Sequence, residues 1–267
     1  MDILQFLVVV LSLILIISSL FLLLIKNEEK KSKYFWIVFI GGMGWLIAFL
    51  LRIIPLNLAK ALTLVSLGID LSDTQAVQAA SHNNVLVLIW GPIFAGLFEE
   101  FCRYFLISKI RDVKSNYPKG PIILGLGWTL GEIIYIHTAY LISMNTLNIP
   151  WETSAWSLVL ASLFERFTVS VFHVLMSLII FQSILEKRLK KRYGLWIAIT
   201  LHILFDGLII VWIIFFPLEN LINIWTLEMA FALQTLITLI FVSKYWDRKI
   251  REKLGSLSNE EAINLVT

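Results

Sequence analysis

Residues 98–104, Phe98-Glu99-Glu100-Phe101-Cys102-Arg103-Tyr104, lie deep in an apolar run that extends from about Val85 to Ile107. Two adjacent carboxylates and an arginine therefore fall where a membrane helix has its lower middle. An Asp, Lys or Arg at the centre of a spanning helix costs roughly 2.5–3.5 kcal/mol on insertion scales, so such groups rarely persist there without partners. Glu99 and Arg103 are four apart with the acid N-terminal, the favoured orientation for an ion pair on one helix face. Glu100 lies about 100° further round the helix and has no partner in its own segment. A buried structural pair with a protonated spare acid is the bland account. A functional site is the other, and the remaining charges of the chain point the same way.

Composition sets the context. Of 267 residues, 58% are hydrophobic and 15% charged, with a mean hydropathy of +0.83. A soluble domain carries about 25% charged residues. The apolar runs lack the alternation of barrel strands, so the fold class is an all-α polytopic membrane bundle. Seven spans of about the ~20 residues a bilayer needs are expected, at approximately 3–25, 34–54, 85–108, 121–144, 156–185, 195–216 and 220–243. Residues 1–245 read as one transmembrane domain and 246–267 as a short polar cytosolic tail. The first run has no basic flank and is too long for a cleaved signal peptide. Cys102 is the one cysteine, which excludes an internal disulfide and reads as a packing residue.

Lys and Arg give the orientation. Lys26, Lys30, Lys31 and Lys33 follow the first span; Lys109, Arg111, Lys114 and Lys119 follow the third. Lys187, Arg188, Lys190, Lys191 and Arg192 follow the fifth, and Lys244, Arg248, Lys249, Arg251 and Lys253 the last. The intervening loops hold only Lys60. By the positive-inside rule the N-terminus is outside and the C-terminus cytosolic. The formal charge of +3 thus belongs to short loops that meet lipid headgroups, and no nucleic-acid partner is expected. Residues 55–84 read as a polar external loop with an interfacial helix at 56–68, and His82 as a loop residue. An eighth span there would break the alternation.

Other spans carry their own polar groups. Gly41, Gly42 and Gly44 on the second, and Gly125, Gly127 and Gly131 on the fourth, offer small-residue surfaces for close helix packing. Arg52 sits near an external helix end, where it can snorkel to the headgroups. Glu132, four residues after Trp128, is either paired, protonated or functional, with Arg166 available across the bundle. His137 reads as a packing histidine. Arg166 and His173 are seven apart and nearly share a face, as do His202 and Asp206 at a spacing of four. Counted at 1.5 Å per residue, Glu99 and His202 lie about 12–15 Å from their cytosolic helix ends, and His173 about 20 Å. Glu100, His173, His202 and Asp206 can converge in the cytosolic half of one bundle. Two histidines with carboxylates suit water activation, through a metal or through a glutamate base.

Glu99-Glu100-x-x-Arg103, then His173, then His202-x-x-x-Asp206 resemble the CPBP superfamily of CAAX-prenyl endopeptidases and bacteriocin-processing or immunity proteins. The stretch around Glu99, the Gly125–Glu132 segment and Glu165-Arg166 look most like its YhfC-like branch of intramembrane metalloproteases. The resemblance covers about residues 1–245. It implies an integral protein of a prokaryotic plasma membrane that hydrolyses a membrane-embedded or membrane-proximal peptide near the cytosolic leaflet. It implies Glu99 or Glu100 as general base, with Arg103, Glu132, His173, His202 and Asp206 around it. His173, His202, Glu100 and Asp206 would hold the water or a divalent metal such as zinc, a metal-free glutamate mechanism being the alternative. The chain departs from the pattern twice. Two residues rather than three separate the acid pair from Arg103, and Trp128 stands where a histidine is expected. A non-catalytic immunity-type relative and a proton-coupled transporter are the rival functions.

Overall fold

The computed structural model describes residues 31–115, 119–147, 156–188, 193–216 and 220–246. The expected span at 3–25, residues 189–192 of the third basic loop and the tail beyond 246 lie outside the described residues. The helices in chain order are α1 (Lys31–Ser66), α2 (Thr74–Asn83), α3 (Val85–Leu88), α4 (Trp90–Lys109) and α5 (Arg111–Ser115). They continue with α6 (Lys119–Leu147), α7 (Trp156–Arg188), α8 (Tyr193–Phe215) and α9 (Leu221–Phe241), which passes into a π-helical turn at Val242–Trp246. Among the described residues there is no strand, and six helices are long and apolar enough to cross a membrane. The protein is an all-α membrane bundle.

α7 is the central helix. Of its most apolar stretch, 78% is buried, against 28–44% for the other five candidate spans. α6, α8 and α9 pack around it, α4 lies between α7 and α1, and α1 closes the bundle against α6. The outward faces are apolar, with Phe35, Ile54, Phe105 and Ile222 well exposed. Such faces suit hydrocarbon rather than water.

Glycines bring α1 and α6 into backbone contact. A methyl group on Gly127 would stand 2.3 Å from the Val38 carbonyl oxygen, and one on Gly131 2.6 Å from the Gly42 oxygen. The obstacle is main chain and cannot swing aside. Gly127→Ala should therefore lower stability by roughly 1–3 kcal/mol through overpacking. Gly207→Ala, with nothing within 4 Å of the added methyl, should be neutral or stabilising because alanine is the better helix former. Thermal unfolding of the two variants in detergent checks the contrast.

The segment after Pro55 departs from expectation. It is no separate interfacial helix, because α1 continues through Pro55 to Ser66 as one helix of 36 residues. At 1.5 Å per residue α1 is about 54 Å long, well beyond a hydrocarbon core of about 30 Å. Proline removes one backbone donor but does not end this helix. Trp90 ties the distal part down, its indole N–H donating to Thr63 Oγ1 at 2.8 Å. His82 likewise lies in α2 rather than in a loop. Asp73 starts that helix by accepting from the backbone N–H groups of Gln75 and Ala76.

Candidate functional site

Four elements bring the polar residues to mid-bundle: α4, α6, α7 and α8, with Arg52 arriving from α1. Glu99, Glu100 and Arg103 are buried on α4, His173 on α7 and His202 on α8. Isolated charges at such depth are costly, and each of these has a partner.

The pairing on α4 reverses the expected one. Arg103 binds Glu100 rather than Glu99, with Nη1 donating to both carboxylate oxygens at 2.9 and 3.0 Å. Positions three and four apart both share a helix face, and the rest of the bundle decides between them. Trp128 lies under the Arg103 guanidinium, 4.5 Å from Cζ to the ring centroid, and donates its indole N–H to Glu99 Oε2 at 2.9 Å. Arg52 donates to Glu99 Oε1, also at 2.9 Å. Arg52 therefore does not snorkel to the headgroups. It turns inward, and sequence distance hid this pair, since the partners are 47 residues apart.

Donor rules fix the state of His173. A guanidinium only donates, so the 3.0 Å contact of Arg103 Nη2 with His173 Nδ1 makes that nitrogen the acceptor. His173 Nε2 then carries the hydrogen and donates it to Glu132 Oε2 at 2.7 Å. Arg166 donates to the other Glu132 oxygen at 3.3 Å and also to Glu165. Of the states left open for Glu132, the paired one is found. His137 bonds the Ile133 carbonyl oxygen of its own helix at 2.8 Å and stands apart from the cluster.

His202 is held differently. Its Nδ1–H donates to Glu100 Oε1 at 2.6 Å. Among the described residues its Nε2 makes no hydrogen bond, and it faces Asp206 Oδ2 at 3.7 Å and Glu99 Oε2 at 3.9 Å. Phe172 stacks on Phe205 with centroids 4.1 Å apart and stands edge-on to the His202 ring at 5.7 Å. The imidazole is thus oriented by a carboxylate on one side and fixed by aromatic packing on another.

A cavity of about 580 Å³ descends onto the cluster. Glu99, Glu132, His173, His202 and Asp206 line its floor, whereas Glu100 and Arg103 lie behind them, fully buried. Trp45, Phe49 and Tyr135 form an aromatic wall with centroids 4.4–5.4 Å apart. Asn57, Leu88, Ile136 and Ile209 also line the cavity, far from the basic helix ends. Trp128 touches the cluster from the closed side. Trp128→Phe should lose a hydrogen bond to a charged group, about 1.5–3 kcal/mol, measurable as a lower unfolding temperature.

All seven residues singled out in the sequence belong to one connected group, but its geometry does not fit the metal set that the resemblance implies. Both nitrogens of His173 and both oxygens of Glu100 are engaged. Among the described residues, no group of three His, Cys, Asp or Glu is placed to hold a metal ion. Sequence reasoning missed Glu228 of α9, a buried carboxyl whose Oε2 has no hydrogen bond among the described residues. The signal was available, as an acid inside an apolar span. No family model matches the chain, and no curated protein or solved structure matches it.

Proposed function

We propose that the chain is an intramembrane protease that hydrolyses a peptide bond with a water activated at the cavity floor. The observation that carries this is His202 Nε2, which makes no hydrogen bond among the described residues. It faces the cavity beside two carboxylates, while Nδ1 on the other side of the ring is bound by a buried glutamate. A base needs a lone pair within reach of the water and an orienting group behind it.

In this mechanism Glu99 and Asp206 orient the water, and His202 Nε2 removes its proton as the oxygen attacks the carbonyl carbon. The Glu100 carboxylate, itself held by Arg103, stabilises the imidazolium through Nδ1–H. The proton then passes from Nε2 to the leaving amine as the C–N bond breaks. Glu100 is a positioning residue, because its enclosure keeps it from the cavity. The resemblance to the CPBP superfamily supports the same reaction, a membrane-borne peptide as substrate, and a prokaryotic plasma membrane as location. A second reading, a non-catalytic relative, is favoured by Trp128, whose indole ties down Glu99.

Mass spectrometry of chain termini separates the two. Membranes from cells producing the native protein should contain new termini in or beside spanning segments. These termini should be absent with His202→Ala. Identical sets of termini would favour the non-catalytic reading.

A further inference from the structure

The cavity has a direction. Its floor lies at mid-bundle, and its lining climbs to Asn57 on α1, Leu88 on α3, Ile136 on α6 and Ile209 on α8. Each of these lies toward the end of its helix that lacks Lys and Arg clusters. In the opposite half, the space between α4, α6, α7 and α8 is filled, and the apolar groove there lies to one side, between α1 and α4, lined by Gly44, Leu51, Phe101 and Phe105. Ile107 of α4, Ile123 and Leu124 of α6, Met176 and Ile179 of α7 and Ala198 of α8 are all completely buried. They form an apolar layer between the cluster and the helix ends at Lys109, Lys119, Arg188 and Tyr193, which border the basic loops. By the positive-inside rule those ends are cytosolic.

We propose that the cavity is a vestibule open to the non-cytosolic side, and that the site takes a short segment of a membrane polypeptide exposed there. This rests on the protease reading for the reaction and turns its geometry around. The motif depths alone suggest the cytosolic leaflet, yet the buried apolar layer lies between the cluster and that side. A cavity of about 580 Å³ is within the usual range for a small ligand, about 300–1,000 Å³. It therefore admits a few residues of an extended chain and not a folded domain. Aromatic walls above a polar floor suit a segment that leaves the bilayer and exposes its backbone to the floor.

Cysteine accessibility tests this without any cleavage assay, so the route can stand or fall independently of the protease reading. In a Cys102→Ser background, Asn57→Cys, Ile136→Cys and Ile209→Cys are treated in intact cells with a membrane-impermeant charged methanethiosulfonate. Ile179→Cys and Ala198→Cys serve as the sealed-layer positions. The proposal expects labelling of the first three from outside, at least tenfold faster than in inverted vesicles, and no labelling of the sealed pair from either side. Labelling of the first three only in inverted vesicles would overturn it, as would labelling of the sealed layer from the cytosolic side. A non-cleaving protein that labels from outside would retain the vestibule and lose only the reaction.

Discussion

His202→Ala should reduce peptide hydrolysis by roughly 10²–10⁴-fold, the usual contribution of a positioned general base, while leaving the fold largely intact. The expectation separates two roles within one cluster. His202 presents Nε2 to the cavity, whereas Glu100 behind it keeps its two contacts to Arg103 when the imidazole is gone. His173→Ala has a different signature. It leaves Arg103 Nη2 without its 3.0 Å acceptor and removes the 2.7 Å partner of Glu132, so activity and stability should fall together. Turnover with the substrate found by terminus mapping, measured beside thermal unfolding, distinguishes the two variants.

Arg103→Leu should be the most destabilising single change, by about 3–5 kcal/mol, the cost of removing one partner of a buried pair. The side chain is fully buried, and its loss strands the Glu100 carboxylate in a low-dielectric interior. It also removes the donor to His173 Nδ1 and the cation stacked on Trp128. Arg103→Lys should fall between, since an ammonium lacks the planar fork that serves two acceptors. The double variant Glu100→Gln/Arg103→Leu should recover part of the loss, because no unpaired charge is then buried. Unfolding temperature and the monodisperse fraction in detergent check the order: double variant above Arg103→Leu, and native protein above both. If Arg103→Leu proves as stable as the native protein, the pair does not anchor the bundle.

Most of the architecture was legible because membrane helices announce themselves. Long apolar runs punctuated by basic loops leave few alternatives once backbone groups must pair internally. The convergence of Glu100, His173, His202 and Asp206 was legible for a related reason, since polar groups at matched depth in a bundle tend to find one another. Partner choice was not. Positions 99 and 100 both lie within reach of Arg103, and only the inward turn of Arg52, from another helix, assigns Glu99 elsewhere. The direction of the cavity was equally hidden, because helix depth places residues along the membrane normal but says nothing of which layer is packed solid. Residues 56–66 were misjudged because the alternation of basic loops shows only that the segment does not cross the membrane again, whereas α1 simply continues through Pro55 to Ser66.

Oxygen tracing tests the central claim most directly. Purified protein is incubated in liposomes with membrane polypeptides in ¹⁸O-labelled water, and new C-termini are analysed by mass spectrometry. Hydrolysis at the cavity floor predicts one labelled oxygen in each new carboxylate with the native protein, and none above background with His202→Ala. Equal labelled termini from the native protein and His202→Ala, or none from either, would contradict the account.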